Sequence, residues 1–110
     1  MNQNKDIVNT FTRITQAMKI AVLLRSLRNA FGLSQAELAQ QAKCSRPTIN
    51  RIETLDKASP RSDIVDGLLQ VFRDQGAEIQ IGDEDVNIRF TKQALLNATA
   101  KAQKHPPSGS

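Results

Sequence analysis

Two helix N-caps, Ser34 and Ser45, govern what this chain can fold into. Ser34-Gln35-Ala36-Glu37 has the form of a capping box: the serine hydroxyl accepts from the amide three residues on, and the glutamate carboxylate accepts from the serine amide in return. Ser45 is followed by Pro47 in what would be a first helical turn, where proline is tolerated because first-turn amides have no intrahelical partner anyway. The first cap predicts a helix over Gln35–Ala42, with Ala36, Leu38, Ala39 and Ala42 toward a core and Glu37, Gln40 and Gln41 in water. The second predicts a helix running to Glu53 or Thr54 with Ile49 and Ile52 inward. About three residues join the two helices, and small side chains stand where they would cross.

The rest of the chain surrounds this pair. Met18, Ala21, Val22, Leu24 or Leu27, and Phe31 recur at three- and four-residue steps, predicting a helix over Thr15–Phe31 that Gly32 ends. Ile7, Val8, Phe11 and Ile14 carry the spacing backwards, so residues 1–15 read as a partly helical extension, weakened by Asn9, Thr10, Thr12 and Thr15. After a polar loop, Thr54–Pro60, a further helix over Arg61–Gln75 carries Ile64, Val65, Leu68, Leu69, Val71 and Phe72, with Gly76 as its C-cap. The period then changes to two. Ile79 and Ile81 alternate with polar residues, as do Val86, Ile88 and Phe90, across the turn Gly82-Asp83-Glu84-Asp85: a β-hairpin. Lys92–Lys101 reads as a short helix capped by Thr91, with Leu95 and Leu96 its only large apolar groups, and residues 104–110 read as a disordered tail.

Composition narrows the function classes. The 110 residues make one domain, and without Trp or Tyr and with four Phe the core is built from Leu, Ile, Val and Ala, which favours helices over a sandwich. The single Cys44 allows no internal disulfide, which fits a reducing cytoplasm. No apolar stretch approaches the ~20 residues of a membrane helix, and the N-terminus is polar rather than a signal peptide. The only His, His105, lies in the tail. With one His and one Cys the inventory argues against an enzyme, a metal site or a cofactor.

Charge is segregated. From Lys19 to Ser62 eight basic residues stand against three acidic ones, a surplus of five positive charges. From Asp63 to Phe90 two basic residues stand against seven acidic ones, a surplus of five negative charges. A polyanion such as DNA is attracted to the first segment and repelled by the second.

Gly32-Leu33-Ser34-Gln35-Ala36-Glu37-Leu38-Ala39 followed by Ser45-Arg46-Pro47-Thr48-Ile49-Asn50-Arg51-Ile52-Glu53 resembles the Cro/repressor (Xre-type) helix-turn-helix family, over about Met18 to Phe72. The resemblance implies a mainly α, lambda-repressor-like domain of about four to five helices over residues 16–76, to which this chain adds a β-hairpin and short terminal helix over 77–103. It implies a sequence-specific regulator of transcription, bacterial, plasmid-borne or phage, that represses by placing the second motif helix in the major groove of a double-stranded operator.

Site roles follow from the same resemblance. Gln35 would contact a phosphate through its side chain or the helix N-terminal amides. Ser45, Arg46, Pro47, Asn50 and Arg51 would face the groove, and Thr48 would touch the DNA backbone. Arg51 and Arg46 are the main expected base readers, since Arg bonds guanine bidentately; Asn50, suited to adenine, is third, and Pro47 offers a thymine methyl only apolar contact. Lys57, Ser59 and Arg61 in the following loop are candidate phosphate contacts. Arg28 and Glu53 would form an internal ion pair that fixes the motif. Two residues depart from the family's pattern. Lys43 stands where the turn usually has a left-handed Gly, so a reshaped turn is expected. Pro47 disfavours helical geometry at Arg46, so the recognition helix is expected to start one residue late.

The helical part needs no hairpin to fold, so the hairpin is read as an addition for dimerisation. Its Ile79, Ile81, Val86, Ile88 and Phe90 would either cover the Ile64–Phe72 helix of their own chain or pair edge-to-edge with a second subunit. A homodimer would match two half-sites about one helical turn apart. An alternative is an antitoxin that binds a toxin or other protein partner through this acidic half while repressing its own operon.

Overall fold

A computed structural model describes residues 13–56 and 60–104. The chain forms α1 (Gln16–Ala30), α2 (Gln35–Ala42), α3 (Arg46–Thr54), α4 (Ser62–Asp74), β1 (Ala77–Ile81), β2 (Val86–Phe90) and α5 (Lys92–Lys104). This is the expected mainly α fold with an added hairpin and terminal helix. No helix among the described residues is long and apolar enough to cross a membrane.

Local chemistry sets the helix starts. Thr15 caps α1: its hydroxyl accepts from the Met18 amide at 3.1 Å, and its own amide donates to the Met18 sulfur at 3.5 Å, a capping box with a thioether in place of a carboxylate. Thr15 is therefore outside the helix rather than its first residue, and Arg13 and Ile14 are not helical. The rest of the expected N-terminal extension lies outside the described residues. α4 begins at Ser62 with Arg61 at the cap position, and Gly76, just past its C-cap Gln75, has φ +102°. A Cβ at Gly76 would lie 2.7 Å from the Ala94 amide nitrogen and 2.8 Å from Thr91 Oγ1, so only glycine lets the chain turn from α4 into the hairpin here. α5 continues through Lys104, three residues beyond the expected Lys101, and takes in the first residue assigned to the tail. His105 and the rest of the tail lie outside the described residues.

Ile20, Leu23, Leu24 and Leu27 of α1, Leu38 of α2, Ile49 of α3, and Leu68, Leu69 and Phe72 of α4 are almost completely buried in one cluster. Burial of each such side chain contributes about 1.5–3 kcal/mol. The hairpin belongs to the same cluster. Its strands pair antiparallel with Ile79 opposite Ile88 and Ile81 opposite Val86. Ile79 is buried, and Ile81, Val86, Ile88 and Phe90 are half-buried against the core. The Phe31 ring lies 5.6 Å from Phe72 on one side and 6.1 Å from Phe90 on the other. Of the two arrangements open to the hairpin's apolar side chains, these five take the one within their own chain. The hairpin completes the helical core rather than standing apart from it.

Polar ties hold the hairpin in place. Lys19 Nζ donates to the carbonyls of Gly82 and Asp83 at 2.6 and 3.0 Å, fixing the turn to α1. Arg73 Nη2 donates to the Ile79 carbonyl at 3.4 Å. Thr91 Oγ1 donates to the Gly76 carbonyl at 2.7 Å and accepts from the Ala94 amide at 3.2 Å, so one hydroxyl closes the hairpin and opens α5. Asn97 Nδ2 donates to the Gln75 carbonyl at 3.0 Å.

Candidate nucleic-acid interface

The site is built on the α2–turn–α3 corner. Ser34 Oγ accepts from the Glu37 amide at 3.0 Å and the Ser34 amide donates to Glu37 Oε1 at 2.8 Å, so the capping box forms as read. Lys43 ends α2 in the left-handed region, φ 59° and ψ 44°, and the Cys44 amide donates to the Ala39 carbonyl at 3.0 Å. The turn therefore keeps the shape a glycine would give it. The expected reshaping does not occur; the left-handed Lys43 bears a cost of about 1–2 kcal/mol instead. Cys44 is half-buried in this turn, and burial pushes its thiol pKa up.

The start of α3 also differs from expectation. Arg46 is its first helical residue and Pro47 its second. Ser45 Oγ accepts from the Thr48 amide at 3.2 Å and lies 2.8 Å from Thr48 Oγ1. This cap, with the proline ring confined to the first turn, outweighs the bias against helical geometry before proline. Arg46 is thus carried on the helix, not on an arm ahead of it.

One ion pair sets the angle at which α3 stands. Arg28 Nε and Nη2 donate to Glu53 Oε2 and Oε1 at 2.7 and 2.9 Å, and Arg28 Nη1 donates to the Leu33 carbonyl at 3.0 Å. The Glu53 side chain is only 4% exposed. Its hydrogen bonds hold the Arg28 proton more tightly than usual, against the opposing effect of partial burial. A two-pronged guanidinium–carboxylate contact fixes orientation as well as distance. Gln35 Nε2 adds a third strut, donating to Glu53 Oε1 at 3.2 Å and to Asn50 Oδ1 at 3.4 Å.

The outer face of α3 is open apart from the Gln35 contact to Asn50. Ser45, Arg46, Pro47, Asn50 and Arg51 are exposed, and Thr48 is half-buried. Thr48 and Arg51 line a cleft of about 320 Å³ whose opposite wall is Pro60, Arg61 and Ile64. The structure thus brings Thr48, Arg51 and Arg61 around one opening at the end of the motif. Arg61 is exposed and paired with Asp63 at 3.0 Å, which leaves its guanidinium partly engaged. Gln35 is half-buried, and its amide spans α2 and α3 instead of standing free. Lys57 and Ser59 lie outside the described residues.

Sequence reasoning gave Gln35 a contact with DNA but missed this bridging role, and it missed Lys19 and Arg73 as ties to the hairpin. No local spacing signals them, since each reaches a partner that only tertiary packing brings near. An exposed face with two guanidiniums, a carboxamide and a hydroxyl, braced from behind, presents donors at the spacing of one helical surface. Such a face can bond base edges and phosphates.

No curated protein and no solved structure gives a significant match to the chain. A family model described as a helix-turn-helix domain matches residues 19–80, which spans α2, the turn and α3 together with most of α1, all of α4 and most of β1. With more than half its length matched and the corner built as above, the chain belongs to the helix-turn-helix domain family, a family of DNA-binding modules.

Proposed function

We propose that the chain is a sequence-specific transcriptional regulator of the Cro/repressor (Xre) type that occupies a double-stranded operator as a homodimer and represses. The observation that carries the reading is the outer face of α3: Arg46, Asn50 and Arg51 are exposed while Ile49 and Ile52 are buried in the core and Glu53, one turn on from Asn50, is buried and bound to Arg28. A helix fixed from behind can enter the major groove without losing its orientation, so binding orders the reading side chains but not the helix that carries them. In this reading Arg51 and Arg46 read bases and Asn50 supports them. Gln35, Ser45, Thr48, Lys57, Ser59 and Arg61 position the module on phosphates, and Pro47 makes an apolar contact. The Gln35 strut means that this residue serves DNA through its helix N-terminal amides more than through its carboxamide.

Selection of bound sites from random duplex DNA identifies the operator. On that operator Arg51→Ala weakens binding by about 1–3 kcal/mol and relaxes preference at one base position, while Lys57→Ala weakens every sequence alike and flattens the salt slope by about one unit. Fluorescence anisotropy across salt concentrations reads both. Equal, sequence-blind losses from the two variants would remove Arg51 from base readout.

A further inference from the structure

The hairpin's two edges are not alike. In the hairpin the Gly82 amide donates to the Asp85 carbonyl at 2.8 Å, which makes Gly82 and Asp85 a hydrogen-bonded pair. Hydrogen-bonded and non-bonded pairs alternate along an antiparallel ladder. From the register, Gln80–Asn87 and Glu78–Arg89 are then hydrogen-bonded pairs, and Ile81–Val86, Ile79–Ile88 and Ala77–Phe90 are not. The backbone groups of Ala77, Ile79 and Ile81 therefore point out from the β1 edge, and those of Val86, Ile88 and Phe90 point out from the β2 edge. α4 packs along β1, and Arg73 donates to the Ile79 carbonyl on that edge. Among the described residues no hydrogen bond covers the outward groups of Val86, Ile88 or Phe90. An open edge of this kind is a template for another strand.

We propose that the β2 edge is the surface through which two copies of this chain dimerise, β2 pairing antiparallel with β2 of the second copy about a two-fold axis at Ile88. This rests on the reading of the chain as a two-fold regulator and names the surface that would supply the symmetry. The pleat restricts the register. Val86, Ile88 and Phe90 all face their own core, so only pairings that set apolar residue against apolar residue keep both cores covered. Three registers make at least two such pairs. With Ile88 opposite the second copy's Phe90, Arg89 faces its own symmetry mate, two like charges directly opposed. With Val86 opposite Ile88, the outward groups of Phe90 meet the turn. With Ile88 opposite Ile88, Val86 meets Phe90 at both ends, all three outward residues bond, and roughly six inter-strand hydrogen bonds form. On the solvent face of that register Arg89, already paired with Glu78 at 2.8 Å in its own hairpin, faces Asn87 of the second copy. The solvent-face row then reads Glu78, Arg89, Asn87, Gln80 across the two copies, with no like charges adjacent. The product is a four-stranded sheet in the order β1-β2-β2-β1, with one apolar face over two cores.

The test uses the full chain without DNA, so its failure would leave the DNA-binding reading to the Arg51 experiment. Sedimentation velocity should find a dimer at ~100 µM. Asn87→Arg sets two like-charge pairs across the axis and should raise the dimer dissociation constant roughly tenfold, whereas Asn87→Glu creates two opposite-charge pairs and should lower it severalfold. Asn87 is exposed, so an unchanged circular-dichroism melt under dilute conditions separates these effects from misfolding. In a dimer mixed from labelled and unlabelled chains, a strong Hα–Hα Overhauser contact should join Asn87 to Arg89 of the other copy, a non-bonded pair with Cα atoms about 4.5 Å apart. A monomer at ~100 µM overturns the proposal. So does a dimer that lacks this contact and ignores both Asn87 substitutions.

Discussion

Glu53 is the one buried charged residue among those described. Removing a carboxylate from water costs several kcal/mol unless hydrogen bonds replace the lost hydration. Here Arg28 supplies two and Gln35 a third. Arg28→Ala leaves the carboxylate with Gln35 alone, and the expected loss of stability lies at the lower end of ~3–5 kcal/mol because that one donor stays. A thermal melt by circular dichroism measures it, and a melt unchanged within error would mean that Glu53 reaches water when Arg28 is absent. Such a variant also loses DNA affinity through unfolding, so the melt has to accompany any binding assay. The serine caps were legible in sequence because a cap acts over three residues. The Arg28–Glu53 contact spans 25 residues and the Lys19 tie to Gly82 spans 63; the first was reachable only through the family resemblance and the second not at all.

Four of the five helices start where a side chain satisfies an orphan amide of the first turn, and α4, behind Arg61, starts without one. Thr91 does this for α5 and at the same time donates to Gly76, the glycine that ends the α4 corner. Thr91→Val keeps the shape and removes both bonds, so the expected cost is about 1–2 kcal/mol, with amide exchange at the start of α5 accelerated more than in α1. Equal acceleration in both helices would show that Thr91 acts on the whole fold and not on α5. The capping box that opens α2 and the two strands of the hairpin were legible because they follow from a cap and from period-two alternation. Helix ends were less so. α5 was read to Lys101 because its apolar spacing fades there, yet no Gly or Pro intervenes before Pro106, and nothing in Ala102-Gln103-Lys104 breaks a helix. The late start assigned to α3 has the opposite cause: a general bias before proline was weighed above the particular cap at Ser45.

The sign change in charge after Ser62 and the glycine at position 76 make the sequence look divisible into a helical part and an appended hairpin. Surface charge, however, says nothing about which apolar faces meet. Ala77, Ile79 and Ala94 lie in the same buried cluster as Leu24 and Phe72, and Phe31 touches the aromatic rings of both α4 and β2. Unfolding should therefore be one transition: helical ellipticity and hairpin amide signals lose intensity with the same midpoint. Phe90→Ala should lower that common midpoint, by about 2 kcal/mol of stability since the ring is half-buried. Two separated midpoints would show that the hairpin melts independently. A shared core also has a mechanical consequence. With the strand and the reading helix packed into one buried cluster, a pair of such bodies joined at β2 is a calliper with fixed jaws. One extra base pair between half-sites turns the second by ~35° about the duplex axis, and the DNA, not the protein, has to twist to accommodate it.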